Sequence, residues 1–386
     1  MDIANWILLS SSLLLCFLWW VIVLRNLHSL LKISLFEHED PPALDDWPKL
    51  SIIISACNEA HTIQPAISTI LEQDYPNLEI ILVNDRSTDT TGEIIDNISK
   101  KDSRVKTINI TQLPEKWLGK VHALYQASKK ITGEWILYTD ADVHLRQGTL
   151  RKAIALCVSC AYDHFSLLPK VHTASFGHEI VLRSFGFLLL QDIRNLNFCA
   201  IGAFNLVKKS SLERTEGFPW LRMEVADDMA LGLLLHRSGA KNGYAFAFHH
   251  VSLNWYPSIA TMVSGLAKNT ACAAQYSLYK SLIFAVCLWA IVAGPILVLL
   301  HPGLPSVLPY LSILGIGAYC FLVINAVATQ IRLRENLLPS LFLPLGLIFI
   351  SLIVLLSGIG CKLRGGISWR GTHYKNEDLI MGQRFK

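Results

Sequence analysis

The chain has 386 residues, 52% of them hydrophobic and only 17% charged, with a mean hydropathy of +0.39. That is too apolar for an ordinary soluble domain or a disordered chain, yet 34 Lys+Arg and 30 Asp+Glu are too many for membrane spans alone. The net charge of +4 lacks the basic blocks of a nucleic-acid binder, and nine scattered cysteines form no disulfide framework and fit reducing surroundings.

Asn5 to Leu24 is a nearly unbroken apolar run, about the length that crosses a bilayer. Asp2 is the only early side-chain charge, Arg25, His28 and Lys32 follow the run, and no small-residue cleavage site appears. These features predict an anchor helix over 1–25 rather than a cleaved signal peptide. The positive-inside rule then puts the following chain in the cytoplasm. Residues 26–48 form a linker ending in Asp40 to Pro48 (DPPALDDWP), and 49–277 is a mixed polar stretch long enough for one domain with a sizeable core.

Leu50–Ala56 (LSIIISA) is a β-branched run without helical period, expected to be a buried strand. Thr62–Gln73 has helical spacing, with Ile63, Ala66, Ile67 and Ile70 on one face. Glu79–Asn84 is a second strand, Thr88–Lys100 a helix capped by Thr88 or Asp89, and Val105–Ile110 a third strand. Lys120–Lys130 is a third helix and Trp135–Thr139 a fourth strand. This alternation predicts βαβ units, an α/β fold with a parallel sheet, and a ligand at the carboxyl ends of its strands.

The residues after those strands are Cys57-Asn58-Glu59, Asp85-Arg86-Ser87-Thr88-Asp89 and Asp140-Ala141-Asp142. Any one such turn has a purely structural explanation, because Asp, Asn and Ser are common in turns and helix caps. Three acidic turns on one sheet edge do not, since their carboxylates would raise one another's pKa. A divalent cation, Mg²⁺ or Mn²⁺, would relieve that repulsion through hard oxygen ligands. The Asp140-x-Asp142 spacing lets one carboxylate meet the metal while the other reaches a sugar hydroxyl or the metal's water shell.

Further along, Ser175–Phe198 crowds Phe185, Phe187, Leu188, Leu189 and Leu190 among Arg183, Asp192 and Arg194. It is too charged for a span and reads either as a core helix or as a helix in the membrane interface. Gly202-Ala203-Phe204-Asn205 suits a tight strand. Asp227-Asp228 opens the helical pattern Met229–Arg237, closed by Gly239; capping and the helix dipole alone would favour the pair. Cys157-x-x-Cys160 has no second pair and carries no zinc or redox expectation.

Three apolar runs follow in 282–359: Leu282–Leu300, Val307–Thr329 and Leu337–Ile359. Their prolines are tolerated in membrane helices, and Arg332 and Arg334 favour a cytoplasmic second loop. Three spans after the anchor would leave the 360–386 tail outside. That tail carries Lys362, Arg364, Arg370, Lys375, Arg384 and Lys386 against Glu377 and Asp378, so the same rule wants it inside. Two to three C-terminal transmembrane helices are therefore expected, with one run possible as a re-entrant or interfacial segment.

The pieces SIIISACNEAHTI, LVNDRSTDTT, GKVHALYQA, YTDADV and VADDMALGLLLHRSG, in that order, resemble family 2 glycosyltransferases of the GT-A fold over about Leu50 to Gln275. The layout of one anchor, a catalytic domain and C-terminal spans is similar to the lipid-directed branch, which includes ceramide glucosyltransferases and hopene-associated enzymes. The resemblance implies a Rossmann-like GT-A domain that moves a sugar from a nucleotide-diphosphate sugar, a UDP-sugar, to a lipid acceptor at the bilayer. Ala56, Asn58 and Glu59 would line the nucleotide pocket, Asp85 would bond the uracil ring, Asp89 would support that loop and Lys120 would meet the diphosphate. Asp140 and Asp142 would hold the metal, and Asp228 would be the general base with Asp227 as helper.

The sequence departs from the family pattern in several places. Ser55-Ala56-Cys57 replaces a Pro-initiated first motif, Asn84-Asp85 replaces a double Asp, and no Q-x-x-R-W follows Asp228. Instead Trp255, Lys268 and Asn269 resemble a G-x-x-K-N variant, and SWRGTHYK resembles a W-R-G-x-x-Y ending. The resemblance implies an acceptor side of Gly202, Asn205, Trp255, Lys268, Trp369 and Arg370, with a lipid acceptor entering past Ser175–Phe198. The missing motif argues against a processive polysaccharide synthase, which stays as the alternative beside a non-catalytic nucleotide-sugar-binding membrane protein.

Overall fold

The computed structural model describes residues 3–195, 197–300 and 308–385. Residues 1–2, 196, 301–307 and 386 lie outside the described residues, among them Asp2, the first residue of the run Val307–Thr329, and Lys386. The chain opens with helix α1 (Ile3–Lys32), then runs β1 (Ser34–Leu35), β2 (Leu50–Ala56), α2 (Ile63–Leu71), β3 (Leu78–Asp85), α3 (Thr91–Lys101), β4 (Val105–Ile110), α4 (Gly119–Ser128) and β5 (Trp135–Asp140). Next come β6 (Val143–Leu145), α5 (Thr149–Ser159), β7 (His164–Leu168), β8 (Lys170–Val171), α6 (Phe176–Asn195) and β9 (Asn205–Lys208). The short helices α7 (Lys209–Glu213) and α8 (Phe218–Leu221) lead to α9 (Asp227–Arg237), β10 (Asn242–Phe246) and β11 (Val251–Leu253). The remainder is α10 (Ile259–Ala273), α11 (Leu278–Leu300), α12 (Leu308–Leu333), α13 (Leu343–Arg364), β12 (Gly366–Trp369), β13 (Thr372–Lys375) and α14 (Asn376–Gly382).

These elements divide into two compact units. One is α/β and comprises Ile33–His172, Asn197–Trp255 and Gly366–Lys386; the other is helical and comprises Met1–Lys32, Thr173–Leu196 and Tyr256–Gly365. The intervals differ from those expected of the sequence. Residues 173–196 and 256–277 leave the 49–277 stretch because their helices pack on α13. The basic tail joins the α/β unit because, past Gly365, the chain forms a hairpin that bonds the strand-end loops of that unit.

The α/β unit is built on an eight-stranded sheet of order β1-β10-β7-β9-β5-β2-β3-β4, parallel apart from β9, which runs antiparallel between β5 and β7. Strands buried on both faces need continuous apolar runs, and Ile52, Ile53, Ile54, Ile80, Ile81 and Leu82 are all fully buried. Helix α2 turns Ile63, Ala66, Ile67 and Ile70 inward, the face expected from their spacing. The register sets Ser55 beside Asp140 and Ala56 beside Asn84, so β2, β3 and β5 deliver their acidic turns at one level.

In the helical unit, α13 packs on α11, α6 and α10, and α1 packs on α12, α11 and α6. Met262, Leu266, Ile350, Ile353 and Val354 form one apolar cluster there, with Phe185 and Leu188 of α6 against it. Of the three charged residues that make this segment ambiguous in the sequence, Arg183 is paired with Glu179 and lies 3.8 Å from Glu335, while the side chains of Asp192 and Arg194 lie outside those described. Among the described residues two helices are long and apolar enough to cross a membrane, Leu9–Lys32 and Leu338–Arg364. The pair Ile259–Ala273 and Leu278–Ala290, bent by 106°, makes a third if taken as one broken span.

Beside the apolar core of the α/β unit sits a buried carboxylate, Glu79 on β3. It accepts from Ser51 Oγ at 2.5 Å, the Thr132 amide at 2.6 Å, the Gly133 amide at 3.2 Å and Lys106 Nζ at 3.0 Å. Burial alone would raise its pKa, but these donors hold the carboxyl down at about 2. A depressed carboxyl stabilises the fold above its unfolded pKa, near 4.5, and that contribution is lost as pH falls toward 2. Glu79→Gln is expected to destabilise the protein at pH 7 by about 3 kcal/mol, the equivalent of that shift. In thermal unfolding of the full chain in detergent, the gap to wild type should narrow between pH 5 and pH 3. A gap independent of pH would contradict the assignment.

Candidate active site

The turn after β2 is shaped by Asn58, whose φ of 57° is a left-handed conformation that asparagine tolerates better than most residues. Its side-chain oxygen accepts from the Thr88 amide at 2.8 Å, and its own amide donates to Ser87 Oγ at 3.1 Å. Asp89 accepts from the amides of Ala60 at 3.2 Å and Thr91 at 3.0 Å, so it ties the loop after β3 to the loop after β2. Helix α3 starts at Thr91, and Asp89 supports the loop rather than acting as the cap residue. Glu59 accepts from Thr62 Oγ1 at 2.8 Å through one oxygen and from Arg370 Nη2 at 2.7 Å through the other.

Asp85, at the end of β3, is buried and gripped by its neighbour: Arg86 Nε lies 2.8 Å from Oδ1 and Nη2 3.1 Å from Oδ2. A carboxylate has about four acceptor sites, and this fork uses two of them. Arg86 itself has a φ of 55° and donates a further bond to Thr372 Oγ1 at 3.1 Å. Nothing in the sequence pattern assigns Arg86 a role. Its only signal there is a bulky cation between Asp85 and Ser87 in a turn.

The acids of the second half converge on Lys120, on the first turn of α4. Its Nζ lies 2.8 Å from Asp140 Oδ1 and 3.6 Å from Asp227 Oδ2. Burial alone would lower this lysine's pKa, but Asp140, Asp227 and Asp228 hold it well above the ordinary value. Asp227 and Asp228 sit in the first turn of α9, where the helix dipole favours anions. The Gly202 amide donates to Asp228 Oδ2 at 2.8 Å, and the Met229 amide to Oδ1 at 2.8 Å. A small pocket is lined by Lys120, Asp140, Asn205, Phe218, Asp227 and Asp228.

Asp142 follows on the loop after β5. Its carboxyl is pushed up to about 7 by burial and then by the charges of Asp140 and Glu59. Among the described residues no three His, Cys, Asp or Glu side chains are gathered to hold a metal ion. The chain offers two hard carboxylates, Asp140 and Asp142, in an acidic setting, a donor set that fits Mg²⁺ or Mn²⁺ when a ligand's oxygens complete the shell.

Thus Gly202, Asn205, Lys120, Asp140, Asp227 and Asp228 come together, and Asn58, Glu59, Asp85 and Asp89 are tied into one loop system beside them. Ala56 is buried at the end of β2. Trp255 packs against the sheet core. Arg370, expected on the acceptor side, bonds Glu59 and the Cys57 carbonyl instead, while Trp369 pairs with Thr372 in the hairpin. Lys268 lies on α10 of the helical unit.

Residues 51–215 match the family described as Glycosyl transferase family 2. A poly-beta-1,6-N-acetyl-D-glucosamine synthase of Staphylococcus epidermidis is 28% identical over 205 residues, which is 48% of this chain and 45% of the synthase. A GalNAc(5)-diNAcBac-PP-undecaprenol beta-1,3-glucosyltransferase of Campylobacter jejuni is 37% identical over 106 residues, 27% of this chain and 32% of that protein. The chain therefore spans less than half the length of these curated relatives. A mannosyltransferase of Pyrobaculum calidifontis, solved with GDP-Man and Mn²⁺, superposes with a TM-score of 0.55 at 17% identity, covering 90% of this chain and 99% of that one. The fold is GT-A-like, and residues 51–215 are similar to glycosyltransferase family 2 domains.

A side chain at Gly202 would intrude on the acid cluster: its Cβ would meet Asp140 Oδ2 at 2.9 Å and Lys120 Nζ at 3.3 Å. Gly202→Ala is expected to lower sugar-transfer turnover about a hundredfold, the cost of a small misplacement at reacting groups, with the melting temperature nearly unchanged. Wild-type turnover in G202A would show that this geometry is not used.

Proposed function

We propose that the protein is a membrane-bound, inverting glycosyltransferase that moves one sugar from a nucleotide-diphosphate sugar, a UDP-sugar, to a lipid acceptor. The observation that carries this reading is the convergence of Lys120, Asp140, Asp227 and Asp228 where β5 ends and α9 begins. The lipid-linked glucosyltransferase among the relatives and the helices long enough to cross a membrane support the acceptor class.

In this reading Glu59 meets the ribose, Asp85 the base through its remaining acceptor sites, and Asn58 and Asp89 keep those loops in place. Asp140 and Asp142 would hold the divalent cation, which supplies Lewis-acid stabilisation of the departing diphosphate. Lys120 adds positive charge beside the same oxygens. Asp228 takes the proton of the acceptor hydroxyl, and the resulting oxygen attacks the anomeric carbon opposite the diphosphate. The bond to the diphosphate breaks as the new glycosidic bond forms, inverting the centre. The amides of Gly202 and Met229 aim the Asp228 carboxylate, and Asp227 keeps Lys120 in register.

A processive reading draws on the poly-N-acetylglucosamine synthase relatives. It is opposed by the missing Q-x-x-R-W, and product length decides between the two. Asp228→Asn is expected to lower transfer about a thousandfold, within the range for losing a general base, while nucleotide-sugar binding stays within a few-fold of wild type. Full turnover in D228N would remove the base assignment. Binding without turnover in the wild type, on any lipid, would favour a non-catalytic protein.

The tail's membership of the α/β unit supports an even number of membrane crossings between Trp255 and Gly366, with domain and tail both cytoplasmic. Compartment-sensitive reporters inserted at Thr88 and fused after the tail should report the same, cytoplasmic side. Reporters on opposite sides would refute this topology.

A further inference from the structure

We infer that the chain after the last long apolar helix is a working part of the donor site, and that Arg370 is the positioning residue through which it acts. The inference rests on the donor reading above and adds residues to it. Strands β12 and β13 are joined by Arg370 and Gly371, with φ of 48° and 77°. Two consecutive left-handed residues make a tight type I′ hairpin turn, whose twist matches that of the strands. The turn carries Arg370 at its tip.

From this short hairpin, bonds run to three separate loops, each beside a residue assigned to the donor. Arg370 donates to Glu59 Oε1 at 2.7 Å and to the Cys57 carbonyl, holding the loop after β2 on both sides of Asn58. Thr372 Oγ1 accepts from Arg86, the residue that grips Asp85. Tyr374 Oη accepts from the Gly119 amide at 3.3 Å, next to Lys120. Gly119 is tightly enclosed: a Cβ there would lie 2.6 Å from Asp85 Oδ2. The hairpin thus meets the ribose, base and diphosphate loops at once.

The end of the tail holds the other half of the site. The amides of Arg384 and Phe385 donate to Oε2 of Glu224, which is fully buried, while Oε1 accepts from the Ala226 amide just before Asp227. Arg384 Nε donates to the Trp220 carbonyl at 3.1 Å, and its guanidinium lies 5.3 Å from the Trp220 ring. A purely packing role would require none of this selection of loops.

Arginine suits the task because its fork reaches a carboxylate and a carbonyl together, which the single ammonium of lysine does not. One oxygen of Glu59 is held by Arg370 and the other by Thr62. Each keeps an acceptor site for a hydroxyl, so the carboxylate is aimed and not consumed.

The test uses the full chain in detergent, titrated with UDP and separately with GDP, each with MnCl₂. Arg370→Ala should weaken whichever nucleotide the wild type binds by about tenfold, as expected for losing a charged hydrogen bond. Arg370→Lys should fall between the two. Glu59→Gln should also weaken binding, and adding R370A to E59Q should weaken it little further, because the two residues act as one unit. R370A binding within about twofold of wild type, or additive losses in the double variant, overturns the inference. If R370A melts well below wild type, R370K compared with wild type at matched folding decides instead: weaker binding supports the inference and equal binding overturns it. A wild type that binds neither nucleotide refutes the donor reading itself, and that outcome is distinct from wild-type binding with R370A unchanged.

Discussion

Lys120 carries the charge that lets Asp140, Asp227 and Asp228 share one corner of the sheet edge. Without it, three carboxylates in a half-buried pocket would repel one another, and some would take up protons. The lysine is placed by the first turn of α4, Asp140 by the last residue of β5, and the Asp pair by the first turn of α9. Each placement follows from a local rule, a strand end or a helix start. Their meeting point is set by the sheet order, in which β9 runs antiparallel beside β5 and brings Gly202 and Asn205 to the same place. Removing Lys120 would leave buried charges uncompensated, which costs far more than an exposed pair is worth.

The same principle organises the loops proposed to hold the donor. Asp85 is buried and satisfied by the Arg86 fork, and Glu59 by Arg370 and Thr62. Both carboxylates are thereby fixed in direction before any ligand arrives, which lowers the ordering cost of binding. The tail matters because it supplies part of that fixation.

Much of this is legible in the sequence. The four strands and three helices of the first half lie within a few residues of their expected bounds, because β-branched runs and apolar spacing leave little freedom. The acidic turns stand out because the parallel topology forces strand ends to one edge. What is not legible rests on contacts between distant parts of the chain. Arg370 and Glu59 are 311 residues apart, and Arg86 and Thr372 are 286. No local pattern encodes such pairs. Ser175–Phe198 is ambiguous in the sequence for a related reason: its Arg183 looks costly in an apolar helix until the fold pairs it with Glu179 and Glu335.

Delivery of one sugar to a lipid at the acid cluster can be read in lipid extracts, by mass spectrometry, from cells expressing the full chain and cells expressing Asp140→Asn. One lipid class heavier by a single sugar residue is expected in the first extract and absent from the second. A water-soluble polymer made by the wild type with no glycosylated lipid, or identical lipids in both, would contradict it.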